Sequence, residues 1–302
     1  MDFLNAVGIA LGHIGVGYLP IILCIQSRCF DHIAIFIVGN LKSTVLYKGE
    51  NHRNFSDPTA VKAFYDELRE GVTATTAAAN PDDWASLMLP ALKEGRDVLV
   101  IAFSSGLSTT YQSAVIAAKD LQEEYPGRTV KVVDTLSASL GQGMFVWHAC
   151  KKRDEGMDLD ALTAWLEDHK LNLCHWFTVD DLMYLKRGGR VSAATALVGT
   201  MLQIKPVLHV DDEGHLISVA KARGRKASID ALAKKVSELA DGYNNETMFI
   251  SHGDCLEDAE ALAEMITAIA KPKELLFCPH EPVTGSHVGP GMLALFFFGE
   301  GR

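Results

Sequence analysis

Short apolar runs alternate along this chain with longer stretches whose apolar positions recur at helical spacing. Ile33 to Val38, Asp97 to Phe103 and Val130 to Val133 are near-continuous apolar runs, the pattern of strands buried on both faces. Thr44 to Tyr47 reads as a further strand, and Gly49 to Arg53 as the turn after it. Asp57-Pro58 predicts a helix start, with Asp57 as N-cap and Pro58 in the first position. Val61, Phe64, Tyr65 and Leu68 then share one helical face, and Gly71 ends the helix. Thr73 to Pro81 reads as a loop of hydroxyl and small residues before a helix over Asp82 to Glu94. After the strand Asp97 to Phe103 comes Ser104-Ser105-Gly106-Leu107-Ser108-Thr109-Thr110, then a helix to about Glu124. The strand Val130 to Val133 runs through Asp134-Thr135 into the small-residue loop Leu136 to Gly143. Helices around Met144 to Lys152 and over Leu159 to Leu171 follow. Strand, small-residue loop and helix thus recur, which predicts a parallel sheet covered by helices. Its loops, at Thr75, Ser104 and Thr135, are expected to gather at one edge.

The rhythm changes after Asn172. Trp176 to Val179 reads as a strand, Asp180 to Leu185 as a short helix, and Lys186-Arg187-Gly188-Gly189-Arg190 as a basic, glycine-broken loop. An apolar helix is expected over Ala193 to Leu202. Lys205 to Val210 and Leu216 to Ala220 flank Asp211-Asp212-Glu213-Gly214, a hairpin signature. Lys226 to Leu239 predicts a helix, and Met248 to Ser251, Leu256 to Ile269 and Glu274 to Cys278 predict strand, helix, strand. A Gly- and Pro-rich loop, Thr284 to Gly291, precedes a last strand over Leu293 to Phe298. The fold class expected is α/β. A parallel three-layer α/β/α domain spans 1–171, and a second, two-layer α/β domain with a mixed sheet spans 172–302.

Composition narrows the function. The formal net charge is −10, which argues against a nucleic-acid groove as the main function. Of the cysteines only Cys24 and Cys29 are close in sequence, and no second pair or His cluster completes a metal site. Reduced thiols in a cytoplasmic protein are expected. Residues 1–31 are atypical. Val7 to Ile25 is long and mostly apolar, but no basic residue precedes it and it holds His13, Pro20 and four Gly. It is a weak signal peptide or anchor, so no stable membrane insertion is expected. Those glycines follow no strand, so they make no dinucleotide fingerprint, and no Walker loop occurs elsewhere. No cofactor is expected.

The chemistry centres on the loop after the strand Asp97 to Phe103. A strand end, a helix start and clustered hydroxyls suit a carboxylate or phosphate. Capping by Ser108 or Thr109 would use only part of that set. His287, among Gly285, Gly289 and Gly291, either reaches a ligand or bonds a backbone carbonyl. Lys186, Arg187 and Arg190 either bind an anion or pair with Asp180 or Asp181. A Ser105–His287–Asp134 triad would make a hydrolase or acyltransferase, but Ser105 lacks the Gly-x-Ser-x-Gly elbow. An anion cradle beside abundant apolar residues fits a carrier of fatty acids better, with no catalytic residue.

Several stretches together resemble the DegV family of fatty-acid-binding proteins. They are Thr75-Thr76 with Asn80-Pro81, Ser104 through Ser113, Val133-Asp134-Thr135 with Ser139-Leu140-Gly141-Gln142-Gly143, Asp181-Leu182 to Arg190, Lys205-Pro206-Val207-Leu208, and His287-Val288-Gly289-Pro290-Gly291. The resemblance covers roughly Asp57 to the C-terminus. It implies a long-chain fatty acid held between two domains, with its carboxylate presented to a fatty acid kinase subunit for acyl-phosphate formation. It places the carboxylate on Thr76 and Ser105, with the Gly106 N–H and His287 nearby, and gives Arg187 a structural or partner-contacting part. Three features depart from the family. Ala77-Ala78-Ala79 replaces a Ser-Gln-Pro, Ser108-Thr109-Thr110-Tyr111 replaces a Ser-Gly-Thr-Tyr, and Gln26-Ser27-Arg28-Cys29 does not supply the family's opening Asp-Ser strand.

Overall fold

The computed structural model of the protein describes residues 33–36, 44–53, 57–192 and 203–302. Val7 to Ile25, Gln26 to Cys29 and the helix expected over Ala193 to Leu202 lie outside the described residues. Among the described residues no helix is long and apolar enough to cross a membrane.

Strand β5 (Asp97–Ala102) is the centre of a parallel sheet, flanked by β1 (Ile33–Phe36) and β6 (Val130–Asp134). Side chains alternate across a strand, so β5 serves two cores at once. Val98, Val100 and Ala102 pack against α2 (Pro81–Lys93) and α3 (Thr110–Glu124) through Trp84, Met88, Ala114 and Leu121. Leu99 and Ile101 pack the other way, against α4 (Ser139–Asp154) and α5 (Leu159–His169). This is the three-layer arrangement the apolar runs predicted.

The second sheet is mixed and six-stranded. Its order is β11 (Glu274–Pro279), β10 (Thr247–His252), β12 (Leu293–Phe298), β7 (Leu173–Thr178), β8 (Ile204–Val210), β9 (Leu216–Arg223). Here β12 divides its side chains as β5 does. Leu293, Leu295 and Phe297 face α7 (Arg225–Leu239) and α8 (Leu256–Ala270), while Ala294, Phe296 and Phe298 join Met144 and Phe145 of α4. Helix α4 is thus the layer shared by the two sheets.

A third, antiparallel sheet was not predicted as such. It has the order β3 (Glu50–Arg53), β2 (Thr44–Tyr47), β4 (Ala74–Ala77). Two sequence expectations are corrected here. Most of the expected turn over Gly49 to Arg53 is strand β3, and the expected loop over Thr73 to Pro81 contains β4. Ala-Thr-Thr-Ala offers no apolar alternation, so only its pairing with Val45 and Leu46 of β2 makes it a strand. Two helices also differ. Helix α4 starts at Ser139, ahead of the expected Met144, because Gly141 and Gly143 weaken the helical signal that burial restores. The expected loop at Thr284 is in part a short helix, α9 (Pro282–Val288).

Candidate functional site

Helix α9 brings the distant ends of the chain together. Pro282 sits in its first turn. Val283 enters a small core with Val45 of β2 and with Val61, Phe64, Tyr65 and Leu68 of α1 (Pro58–Arg69). The Tyr65 hydroxyl donates to the His280 carbonyl at 2.9 Å. A Cβ on Gly285 would lie 2.6 Å from that hydroxyl, so only glycine lets α9 and α1 approach this closely. The same docking sets α9 against β4. His287 Nε2 lies 2.7 Å from the Thr76 hydroxyl.

Burial, then the positive charge of Arg190, lowers His287 to about 4, so the ring is neutral at pH 7. Its Nδ1 is buried without a hydrogen-bond partner, facing Gly188, where a Cβ would lie 2.2 Å away. An orphaned acceptor costs less than an orphaned N–H, which assigns the proton to Nε2. His287 then donates to Thr76, and the Thr76 O–H is free to donate to something else. Arg190 stands beside this pair. Its Nε donates to the Leu107 carbonyl at 3.1 Å and Nη1 to that of Gly188. Burial lowers its pKa, and among the described residues no carboxylate pairs with it.

Thr76, Arg190 and His287 line a half-open cavity with about 870 Å³ of empty space, the open solvent at its mouth included. Much of its wall is apolar, with Phe103, Leu107, Phe177, Leu185, Val288 and Met292. A second group of polar side chains, Ser139, His175, His280 and Thr284, also lines it. Thr76, Arg190 and His287 line an outer recess as well, shared with Tyr184, Arg187 and Gly188.

The structure separates the residues that sequence reasoning selected. Thr76 and His287 meet. Ser105 and Gly106 are not among the residues lining the cavity. The Ser105 N–H donates to Asp134 Oδ1 at 3.2 Å, and the Gly106 N–H to Ser104 Oγ at 3.2 Å. Leu107 and Ser108 both donate to the Ser104 carbonyl, so much of the loop's donor set is spent internally. Ser108 Oγ accepts the Thr110 N–H in a local turn, while Thr109, the residue at the N-cap, makes no side-chain cap bond. Ser108 also faces the cavity with Thr110. Arg187 is exposed, with its guanidinium 4.4 Å from the centre of the Tyr184 ring. Ser105, His287 and Asp134 do not form a hydrogen-bonded chain, since Asp134 serves the Ser105 and Leu136 amides and His287 serves Thr76. Sequence reasoning marked Arg190 only as part of a basic loop and did not mark Ser139, His175, His280 or Thr284 as site residues. His175 sits inside the continuous apolar run of β7, and His280 falls at the end of β11, where no motif announces it.

Buried imidazoles also set the acid response of the fold. Desolvation lowers His148, His252 and His287 to about 4 and His280 to about 3. Between those values and the unfolded value of about 6.5, the unfolded chain binds protons that the folded chain does not. Stability is therefore full above the unfolded value and falls as pH drops toward 4. The urea midpoint is expected to decrease between pH 6.5 and pH 5, above the range where ordinary carboxylates titrate. A flat midpoint across that interval contradicts the burial of neutral rings.

Comparison with known proteins places the chain. Residues 31–300 match the model of the DegV family, described as "Uncharacterised protein, DegV family". A DegV domain-containing protein of Clostridium perfringens is 44% identical over 247 residues, covering 82% of this chain and 85% of the relative. A DegV family protein from Thermus thermophilus, whose structure describes fatty acid binding, superposes with a TM-score of 0.75 at 35% identity, over 85% of this chain and 90% of that one. A DegV lipid-binding protein from Thermotoga maritima gives a TM-score of 0.75 at 26% identity, over 90% of this chain and 99% of its own. The extent of these matches makes this chain a member of the DegV family.

Proposed function

We propose that the protein binds a long-chain fatty acid in this cavity and acts as a carrier. The observation that carries the reading is the pairing of an apolar cavity with a polar mouth that lacks an anion. Arg190 is a half-buried cation with no carboxylate partner among the described residues, and Thr76 has a hydroxyl proton to give. A carboxylate satisfies both, and the acyl chain fills the space between Phe103, Phe177, Leu185 and Met292. The fatty acid binding described for the Thermus relative supports the same reading. Ser105, at the turn beside the cavity wall, is a second arm of the head-group site through its hydroxyl, while the Gly106 amide stays on Ser104 Oγ. The Ser105 hydroxyl makes no hydrogen bond among the described residues, so it is available to a carboxylate that leans outward.

The carrier presents the carboxylate to a partner kinase for acyl-phosphate formation. Support comes from Thr76, Arg190 and His287 lining both the cavity and the outer recess, so the head group lies close to the surface. Exposed Arg187 at the recess is the contact proposed for the partner. Thr76→Val is expected to weaken fatty acid binding about tenfold, through loss of one charge-assisted hydrogen bond. Titration calorimetry with palmitate checks this, and unchanged affinity would remove Thr76 from the site. Arg187→Ala is expected to retain fatty acid binding and to slow acyl-phosphate formation when a fatty acid kinase is supplied. Equal rates for the two proteins would exclude that contact.

A further inference from the structure

Tyr184 stands where three parts of the fold meet, and its ring is fixed from each of them. It belongs to the short helix Met183–Arg187 and lines the outer recess. Its hydroxyl donates to the Leu68 carbonyl at 2.8 Å, in the last turn of α1, where helix carbonyls lack intrahelical partners. Its ring packs against the small core of Val45, Val61, Phe64 and Leu68. Gly289, with a φ of 76°, follows α9 and lies against the ring, and a Cβ there would stand 2.5 Å from Tyr184 Cδ2. Glycine meets both demands, the positive φ and the close approach. A hydrogen bond, a packed core and a stretch of backbone thus hold the ring in one place.

Arg187 lies three residues on, at the spacing that brings two side chains of a helix together, and its guanidinium carbon is 4.4 Å from the centre of the Tyr184 ring. The two carboxylates close to it in sequence are engaged elsewhere. Asp180 pairs with Lys205 at 2.6 Å, and Asp181 Oδ1 accepts the Met183 N–H at 2.8 Å. Among the described residues Arg187 forms no ion pair. An exposed arginine samples many rotamers, and ordering it on contact with a partner costs affinity. A guanidinium stacked over an aromatic face is held by the ring's quadrupole while its N–H edges stay free to bond. The fixed ring therefore sets the Arg187 fork at the rim of the recess before any partner arrives.

We propose that Tyr184 is a positioning residue, whose ring holds Arg187 in the geometry that the partner kinase contacts. It rests on the kinase reading above and adds a residue to it. The test measures KM and kcat of a fatty acid kinase for the carrier saturated with palmitate, so that ligand affinity does not enter. Tyr184→Leu is expected to raise the KM for the loaded carrier about threefold with little change in kcat. Tyr184→Phe, which keeps the ring, is expected to restore a KM close to that of the wild type. In an Arg187→Ala background Tyr184→Leu is expected to add nothing, whereas a general structural defect would persist there. Tyr184→Met, which keeps apolar bulk without a ring face, takes the place of Tyr184→Leu should that variant fail to fold. Three results would each overturn the role of the ring: a wild-type KM in the folded Tyr184→Leu carrier, a KM for Tyr184→Phe as high as for Tyr184→Leu, or a further loss on top of Arg187→Ala. If Arg187→Ala itself leaves KM unchanged, the contact and its positioning fall together and the fatty-acid reading stands. If the kinase does not act on the wild-type carrier, the kinase reading falls and takes this role with it.

Discussion

Gly188→Val is expected to weaken fatty acid binding about hundredfold while changing no residue of the proposed carboxylate contact. Gly188 ends the short helix α6 (Met183–Arg187), and a Cβ there would lie 2.2 Å from His287 Nδ1. The ring cannot accept such an atom without moving. On its other side it is held by Thr76 at 2.7 Å, so displacement breaks the pair that frees the Thr76 proton. Overpacking of this kind costs about 1–3 kcal/mol, which sets the scale of the expected loss. Gly188→Ala is expected to cause a smaller loss of the same sign. Titration of both variants with palmitate, beside a thermal melt to confirm folding, checks the claim. Wild-type affinity in a folded Gly188→Val protein would show that the position of His287 does not matter.

The second large effect concerns stability. Arg302→Ala is expected to lower the unfolding free energy by about 3 kcal/mol. The Arg302 guanidinium is buried and donates to backbone carbonyls from three parts of the chain, one of them Leu173, 3.4 Å from Nε. Nη1 reaches Leu136 at 2.6 Å and Asp211 at 2.9 Å, and Nη2 reaches Thr135 at 3.3 Å. Burial lowers its pKa to about 10, so it remains charged at pH 7. It ties the turn between β6 and α4 to the hairpin between β8 and β9. That turn needs the tie, because Leu136 and Ser139 both adopt positive φ, at 49° and 53°. Removing the cation leaves Thr135 and Leu136 carbonyls short of a partner in a buried place. Urea unfolding measures the loss, with Arg302→Lys expected to be intermediate, since a single ammonium cannot span the same fork. An unchanged midpoint would mean that water replaces the guanidinium at no cost.

The parallel sheet was legible because β5 is buried on both faces and announces itself as an unbroken apolar run. The hairpin of β8 and β9 was legible from Asp211-Asp212-Glu213-Gly214 for a local reason, the turn chemistry. Strand β4 was hidden, because Thr75 and Thr76 acquire strand geometry only from β2. The site divides in the same way. Thr76 and His287 stood out as hydroxyl and imidazole in small-residue stretches, but the proximity of residues 211 positions apart comes from the docking of α9 on α1. Ser105 and Gly106 stood out for their motif, and the sequence carries no sign that Asp134 and Ser104 take their amides. Within the basic loop, Arg187 and Arg190 look equivalent. Only the fold turns Arg190 onto the Leu107 carbonyl at the cavity and leaves Arg187 outside on Tyr184. His175 and His280 were invisible because apolar strands conceal their polar members until the cavity beside them is seen.

The central claim is that the cavity behind Thr76, Arg190 and His287 holds a fatty acid. Extraction of lipid from the purified protein, with mass spectrometry of the extract and titration of the stripped protein with palmitate, tests it most directly. The account predicts co-purifying fatty acid approaching one per chain and saturable binding at the same ratio after stripping. An extract free of fatty acid, together with no palmitate binding by the stripped, folded protein, would contradict it.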